Sequence, residues 1–176
     1  LFGSDRAVVA MRVDGNLVDL QRELHDGAEV EPVEATSEDG LNIIRHSATH
    51  VMAQAVQQLY PEVNLGIGPF ITDGFYYDFG NIEPVTPEVL SELEKRMKRI
   101  VKENQRFVRR VTTEESAREE LADQPYKLEL IGTKGKGAEG ASVEVGGGEL
   151  TIYDNVRRNG EVAWKDLCRG PHVPST

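Results

Sequence analysis

Three of the four histidines and the sole cysteine fall into two spaced pairs, His46-Ser47-Ala48-Thr49-His50 and Cys168-Arg169-Gly170-Pro171-His172. Imidazoles titrate near neutrality and can move protons to and from an attacking water, chemistry in which the cysteine needs no metal. The same four side chains are also a complete tetrahedral zinc set, with i, i+4 spacing supplying two ligands from one helix and no position left for a water. Both chemistries stay open on the residues alone. At ~100° per residue from Leu41, His46 lies at about 140° and His50 at about 180°, while the apolar stripe centres at about 0°. The two imidazoles therefore share a face turned away from the helix's own stripe, where an isolated pair would simply be solvated.

Cys168 ends a strand-like run, Ala163-Trp164-Lys165-Asp166-Leu167, and Gly170-Pro171 fixes a tight turn that swings His172 back beside it. Asp166, two residues before Cys168, points to the same side of the strand, and Lys127 alternates against Tyr126 and Leu128 on a strand read over Tyr126–Ile131. Both charges can enter the same pocket or stay on an exposed strand face. A second motif is a decoy. Gly135-Lys136-Gly137-Ala138-Glu139-Gly140 fits a dinucleotide fingerprint in its glycines, yet no helix follows whose N-terminal N–H groups could hold a pyrophosphate.

These residues must be positioned by elements legible in the periodicity. Leu41, Ile44, Ala48, Met52, Ala55, Val56 and Leu59 recur at helical spacing, with Thr36 and Asp39 as a capping box upstream and Pro61 as the stop. Asn64–Asp78 is a glycine-bearing loop running into an aromatic strand, a pocket wall. Thr86-Pro87 opens an amphipathic helix to about Asn104. Arg106–Val111 suits a strand, Thr113–Asp123 a short helix, and Leu150–Tyr153 and Val162–Leu167 two late strands around the turn-rich 155–160. Seven glycines between Gly132 and Gly148 predict a mobile loop. Before Leu41, Ala7–Val13 reads as a strand and Leu17–Leu24 as a short apolar-spaced element. Pro32 and Ser37–Gly40 break the pattern. About forty residues make a thin domain. No Met opens the chain, and Leu1-Phe2-Gly3-Ser4 reads as a cloning remnant, both expected of a piece cut from something longer.

The whole chain has 176 residues, 39% hydrophobic and 28% charged, with no apolar run long enough for a membrane span, so a soluble globular protein is predicted. One cysteine cannot make an internal disulfide and no signal-like segment opens the chain, which points to a reducing cytoplasm. A formal charge of −10 argues against coating nucleic acid by bulk electrostatics. The charge is uneven: residues 1–40 carry ten acidic and three basic side chains, residues 95–110 one acidic and eight basic. Lys95, Arg96, Lys98, Arg99, Lys102, Arg106, Arg109 and Arg110 are thus either a solvated face or a local phosphate track.

Arg45-His46-Ser47-Ala48-Thr49-His50, Gly66-Ile67-Gly68-Pro69, Asp73-Gly74-Phe75-Tyr76-Tyr77-Asp78, Tyr126-Lys127 and Asp166-Leu167-Cys168-Arg169-Gly170-Pro171-His172-Val173-Pro174, in that order, resemble the N-terminal region of bacterial threonyl-tRNA synthetases. The glycine-rich loop and Leu150-Thr151-Ile152-Tyr153-Asp154-Asn155 are similar to the actinobacterial branch. The resemblance implies an α+β fold: an editing domain over 41–176, a two-layer antiparallel sheet with packed helices, preceded over 1–40 by a truncated β-grasp module. It implies hydrolysis of serine wrongly esterified to threonine tRNA. In that reading His46, His50, Cys168 and His172 are the editing quartet, Lys127 and Asp166 the charged pocket residues, and Gly68 and Tyr77 lie near the seryl group. His46 would orient or deprotonate water, Lys127 stabilise the oxyanion and Asp166 hold the seryl amine or hydroxyl. Related alanine-specific editing proteins bind zinc through a similar quartet, whereas the threonyl site is expected to need no cofactor. The implied partners are the tRNA(Thr) acceptor end and the remainder of the synthetase, since nothing here resembles an aminoacylation core. Weak tRNA binding by the fragment follows. A zinc hydrolase or structural zinc module, and a non-catalytic tRNA-binding module, are the rivals.

Overall fold

The computed structural model describes residues 5–133 and 149–176. The loop expected between Gly132 and Gly148 and the glycine decoy within it fall almost wholly outside the described residues, as does 1–4. The fold is α+β, with four helices and small antiparallel sheets among the described residues.

The first unit is a three-stranded sheet in the order β2-β1-β3, built from β1 (Val8–Val13), β2 (Asn16–Val18) and β3 (Val30–Glu34). The β1–β2 turn places Asp14 and Gly15 at positive φ, the conformation this Asp-Gly pair supplies readily. The apolar-spaced element expected at 17–24 reduces to short β2 and a turn. Pro32, expected to interrupt structure, sits inside β3, which is an edge strand where a missing N–H costs no ladder bond. Ala10 and Val33 of this sheet bury Ile43 of the first helix, and Arg12 pairs with Asp39 at that helix's start.

Helix α1 (Glu38–Leu59) begins earlier than its apolar spacing predicts. Ser37 is the N-cap, its Oγ accepting from the Gly40 N–H at 3.1 Å, so the Thr36/Asp39 capping box does not form. The helix buries the far end of the expected stripe, with Ala55 and Val56 in the core and Met52 and Leu59 against it, but its start turns the other side inward. Leu41 and Ile44 are exposed at 42% and 38%, while Ile43, His46, Ser47, His50, Ala53 and Gln54 are buried. The start of the stripe misleads because His46 and Ser47 on the far face find partners in the C-terminal turn.

Helix α2 (Pro87–Glu103) packs on α1, capped by Thr86 as predicted and ended by Asn104 in the left-handed region. A three-stranded antiparallel sheet, order β10-β9-β8, consists of β8 (Arg106–Val111), β9 (Thr151–Val156) and β10 (Val162–Leu167). One face, with Phe107, Tyr153 and Trp164, packs toward α1; the other, with Ile152 and Leu167, packs on α3 (Glu114–Glu120) and α4 (Pro125–Thr133). Helix α4 corrects the strand expected over Tyr126–Ile131. In a helix Lys127, Leu130 and Ile131 share the buried face at i, i+3 and i+4, while Tyr126 is exposed, so this short run satisfied two periods and the helical one won. Two small ribbons, β4 (Asn64–Leu65) with β7 (Phe79–Gly80) and β5 (Phe70–Ile71) with β6 (Gly74–Phe75), form the glycine-bearing wall beside α1. Among the described residues no helix is long and apolar enough to cross a membrane.

Candidate functional site

His46 and His50 sit one turn apart on α1; Cys168 follows the last residue of β10, and His172 lies beyond the Gly170 turn. The two segments meet. The ligating atoms of His46, His50, Cys168 and His172 all lie within 4.8 Å of one another, and all four side chains are buried. The His46 and His172 rings stack at 4.4 Å, and His50 stands 4.1 Å from the His172 ring. Cys168 Sγ is 3.3 Å from His46 Nε2 and 3.4 Å from His172 Nε2, and it accepts the Gly170 N–H at 3.2 Å. Phe107, stacked at 4.7 Å on His172, and Trp164, 5.2 Å edge-on to His50, wall the cluster from the sheet.

Ser47 sets the proton arrangement on His172. Its hydroxyl donates to the Ile43 carbonyl at 2.9 Å and accepts from the Val173 N–H at 3.1 Å. A hydroxyl has one proton, so the 3.1 Å contact with His172 Nδ1 requires that nitrogen to carry the hydrogen. Nε2 then turns a lone pair toward Cys168. Neither ring nitrogen of His50 meets a protein donor or acceptor among the described residues. An imidazole so buried presents one N–H and one lone pair to whatever non-protein group enters. Burial pushes all three pKa values down, His46 to about 4, with the Pro171 carbonyl opposing the shift and the Lys127 charge adding to it; His50 and His172 fall well below the usual histidine range, each lowered further by its histidine neighbours. The rings are therefore neutral at pH 7.

Beside the quartet lies a fully buried ion pair, Lys127 Nζ to Asp166 Oδ1 at 3.0 Å. Asp166 also accepts the Tyr77 hydroxyl on Oδ2 at 2.6 Å and the Leu167 N–H on Oδ1 at 2.8 Å. Burial pushes the Asp166 carboxyl up, while Lys127, Tyr77 and Leu167 pull it down. Three donors converging on two oxygens match a carboxylate rather than an acid. Lys127 meets Asp166 from a helix instead of the expected strand. Gly68 abuts Tyr77: a Cβ there would fall on the Tyr77 ring and 3.1 Å from Thr49 Oγ1. Gly68→Ala is accordingly expected to displace Tyr77 and cost about 1–3 kcal/mol of stability as an overpacked site, measured by urea unfolding; an unchanged midpoint would show that the ring gives way freely.

The eight basic residues do not form one tract. Arg96 pairs with Glu92 at 3.1 Å and Lys98 with Glu94 at 2.6 Å along α2, and Arg109 reaches Glu149 at 3.2 Å. Arg110 lies on the far face of the sheet, clamped by Glu120 at 2.7 Å and Asp154 at 2.6 Å, and this contact holds the Glu120 carboxyl down at about 2. Lys95, Arg99, Lys102 and Arg106 are exposed. Sequence reasoning missed Ser47, although it stands inside the histidine motif and a hydroxyl between two such rings is a signal in itself. Phe107 and Tyr153 carried no local signal.

No family model matches the chain. Its sequence is nevertheless similar along its whole length to threonine–tRNA ligases of actinobacteria. The ligase of Streptomyces avermitilis is 64% identical over 179 residues, covering 100% of this chain and 27% of the relative. That of Nocardioides sp. is 60% identical over 185 residues, covering 100% and 28%, and that of Thermobifida fusca 60% identical over 180, covering 100% and 27%. The chain spans little more than a quarter of the length of the curated relatives it matches, and along its whole length it is similar to a segment of threonine–tRNA ligases.

Proposed function

We propose that this segment is an aminoacyl-tRNA deacylase, hydrolysing serine wrongly esterified to tRNA(Thr), with the acceptor end of that tRNA and the rest of the synthetase as its partners. The observation that carries the reading is the convergence of the neutral His46, His50 and His172 with Cys168 next to a buried Lys127–Asp166 pair, in a chain related to threonine–tRNA ligases. The need is physical. Serine lacks one methyl of threonine, and a binding site can exploit that difference for only ~1–3 kcal/mol, so a second sieve is required.

In the proposed reaction water attacks the ester carbonyl carbon. The unprotonated His46 ring orients that water and takes its proton. The oxygen of the tetrahedral intermediate faces the Lys127 ammonium, which Asp166 holds in place. The bond to the ribose oxygen then breaks, and the proton on His46 passes to that oxygen. No ATP enters. Because three protein donors already engage Asp166, we assign it the orientation of Lys127 and Tyr77 ahead of a contact to the seryl amine. Seryl-tRNA(Thr) incubated with the chain should deacylate well above its spontaneous rate, with threonyl-tRNA(Thr) spared. His46→Ala should lower the rate by ~10²–10⁴. Tight tRNA binding with the ester left at its spontaneous rate would favour the non-catalytic binding module.

A zinc site is the second reading, favoured by the unpartnered ring nitrogens of His50 and by the donor set itself. His46, His50, Cys168 and His172 would be the ligands, and Ser47, fixing His172 through Nδ1, would play the orienting role that metal-bound histidines require. Zinc would supply charge at the centre of the quartet. Metal analysis of protein purified without chelator, with deacylation measured before and after chelation, separates the two: stoichiometric zinc lost together with activity establishes the zinc site.

A further inference from the structure

We propose that Asp19, carried by the first three-stranded unit, is a positioning residue for His172. Asp19 directly follows β2, more than 130 positions from the C-terminal strands, yet both of its carboxylate oxygens are spent on the site. Oδ1 accepts the backbone N–H of His172 at 2.8 Å, and Oδ2 accepts the Tyr153 hydroxyl at 2.7 Å.

Three backbone N–H groups of the turn, those of Gly170, His172 and Val173, end on side-chain acceptors. Two of those acceptors, Cys168 and Ser47, belong to the segments that supply the quartet. Only Asp19 comes from outside them. Its second oxygen reaches the same ring by another route, because Tyr153 stands 4.5 Å edge-on to the His172 imidazole. The Tyr153 hydroxyl also occupies the space beside Gly170, where a Cβ would collide with it. Burial, and then the Asp19 charge, keep that hydroxyl protonated and therefore a donor. One carboxylate thus ties down the backbone that carries His172 and the ring that flanks it, with charge-assisted bonds stronger than neutral ones. Besides packing on α1 and on Val173, the small sheet thus reaches the site through the Asp19 carboxylate, although it contributes nothing to the quartet.

The kinetic half of this inference rests on the deacylation reading; the geometric half does not. Asp19→Ala, Asp19→Asn and Tyr153→Phe are compared with the unchanged chain by seryl-tRNA(Thr) deacylation and by the NMR signals of the His172 amide and ring. Asp19→Ala is expected to lower kcat by ~10–10² with little change in KM, the penalty of a displaced catalytic group, and to move the His172 signals. Asp19→Asn keeps an acceptor for the His172 amide and should recover most of the loss. Tyr153→Phe combined with Asp19→Ala should add little to Asp19→Ala alone, because the two act through one bond. A lowered melting temperature with unchanged kcat per folded molecule would make Asp19 merely structural and overturn the proposal. His172 signals that stay put in Asp19→Ala would overturn it equally. Absence of deacylation by the unchanged chain would defeat the functional reading, and the NMR comparison would still decide whether Asp19 holds His172.

Discussion

Lys127→Ala is expected to destabilise the chain by about 3–5 kcal/mol, because it leaves the Asp166 carboxylate buried without its cation. Against a total stability of about 5–15 kcal/mol, that is a large fraction. The size follows from the burial of both partners. An exposed pair such as Lys98–Glu94, although shorter at 2.6 Å, is screened by water and contributes far less. Removing the cation and the anion together should therefore undo much of the damage. Lys127→Met combined with Asp166→Asn leaves no buried charge, keeps an acceptor for Tyr77 or Leu167, and is expected to unfold in urea much nearer the parent chain than Lys127→Ala does. Deacylation should not follow stability. Both variants lack the ammonium assigned to the oxyanion and should lose ~10²–10³ in rate, the usual cost of one such donor. Activity returning together with stability in the double variant would remove Lys127 from the chemistry and leave it as part of the core.

That experiment also marks how far the sequence could be read. Lys127 was placed in the pocket by resemblance and by alternation with Tyr126 and Leu128, and the alternation was wrong: α4 buries it at helical spacing with Leu130 and Ile131. A nine-residue helix beginning at a proline is too short for one period to exclude the other. The meeting of His46 and His50 with Cys168 and His172 was legible because each half of the quartet is local, two rings one turn apart and a turn that folds back on a strand end. The face on which the rings lie was legible only as the side opposite the apolar stripe. Its burial depends on Ser47 and on the aromatic wall of Phe107 and Trp164, which come from other elements. Ser37 took the cap that Thr36 and Asp39 were expected to form, a shift of the kind that element ends invite. The basic stretch read as one patch because sequence shows charge but not direction, and Arg110 points to the far face of the sheet, into Glu120 and Asp154. Asp19 is the limiting case. No periodicity or motif links position 19 to position 172, and only the packing of the first sheet against α1 brings them together.

The second large effect is an acid-induced loss of stability that begins well above the carboxylate range. An unfolded histidine takes up a proton near pH 6.5, whereas in the folded chain His46 does so at about 4, and His50 and His172 are held well below 6.5. Between those limits the unfolded state binds protons that the native state refuses, so stability is fully present above pH 6.5 and falls as the pH falls. Each such group contributes a slope of up to ~1.4 kcal/mol per pH unit, and His46 alone, shifted from 6.5 to about 4, amounts to ~3 kcal/mol over the window. His25 has the opposite sign, because its bond to Asp14 raises its pKa, but it is exposed and cannot offset three buried rings. Urea unfolding between pH 7.5 and 5 should therefore show a falling midpoint with proton uptake on unfolding, and His50→Gln should reduce that uptake by up to one proton. The same titration separates the two chemistries of the quartet. Without a metal the slope is indifferent to chelator. With zinc on the imidazoles, protons compete with the ion, and the acid transition moves upward once the chelator is added. A midpoint that holds constant from pH 7.5 to 5 in metal-free protein would mean that the three rings take up protons in the native state much as they do unfolded, and would overturn the burial-lowered titration of the quartet.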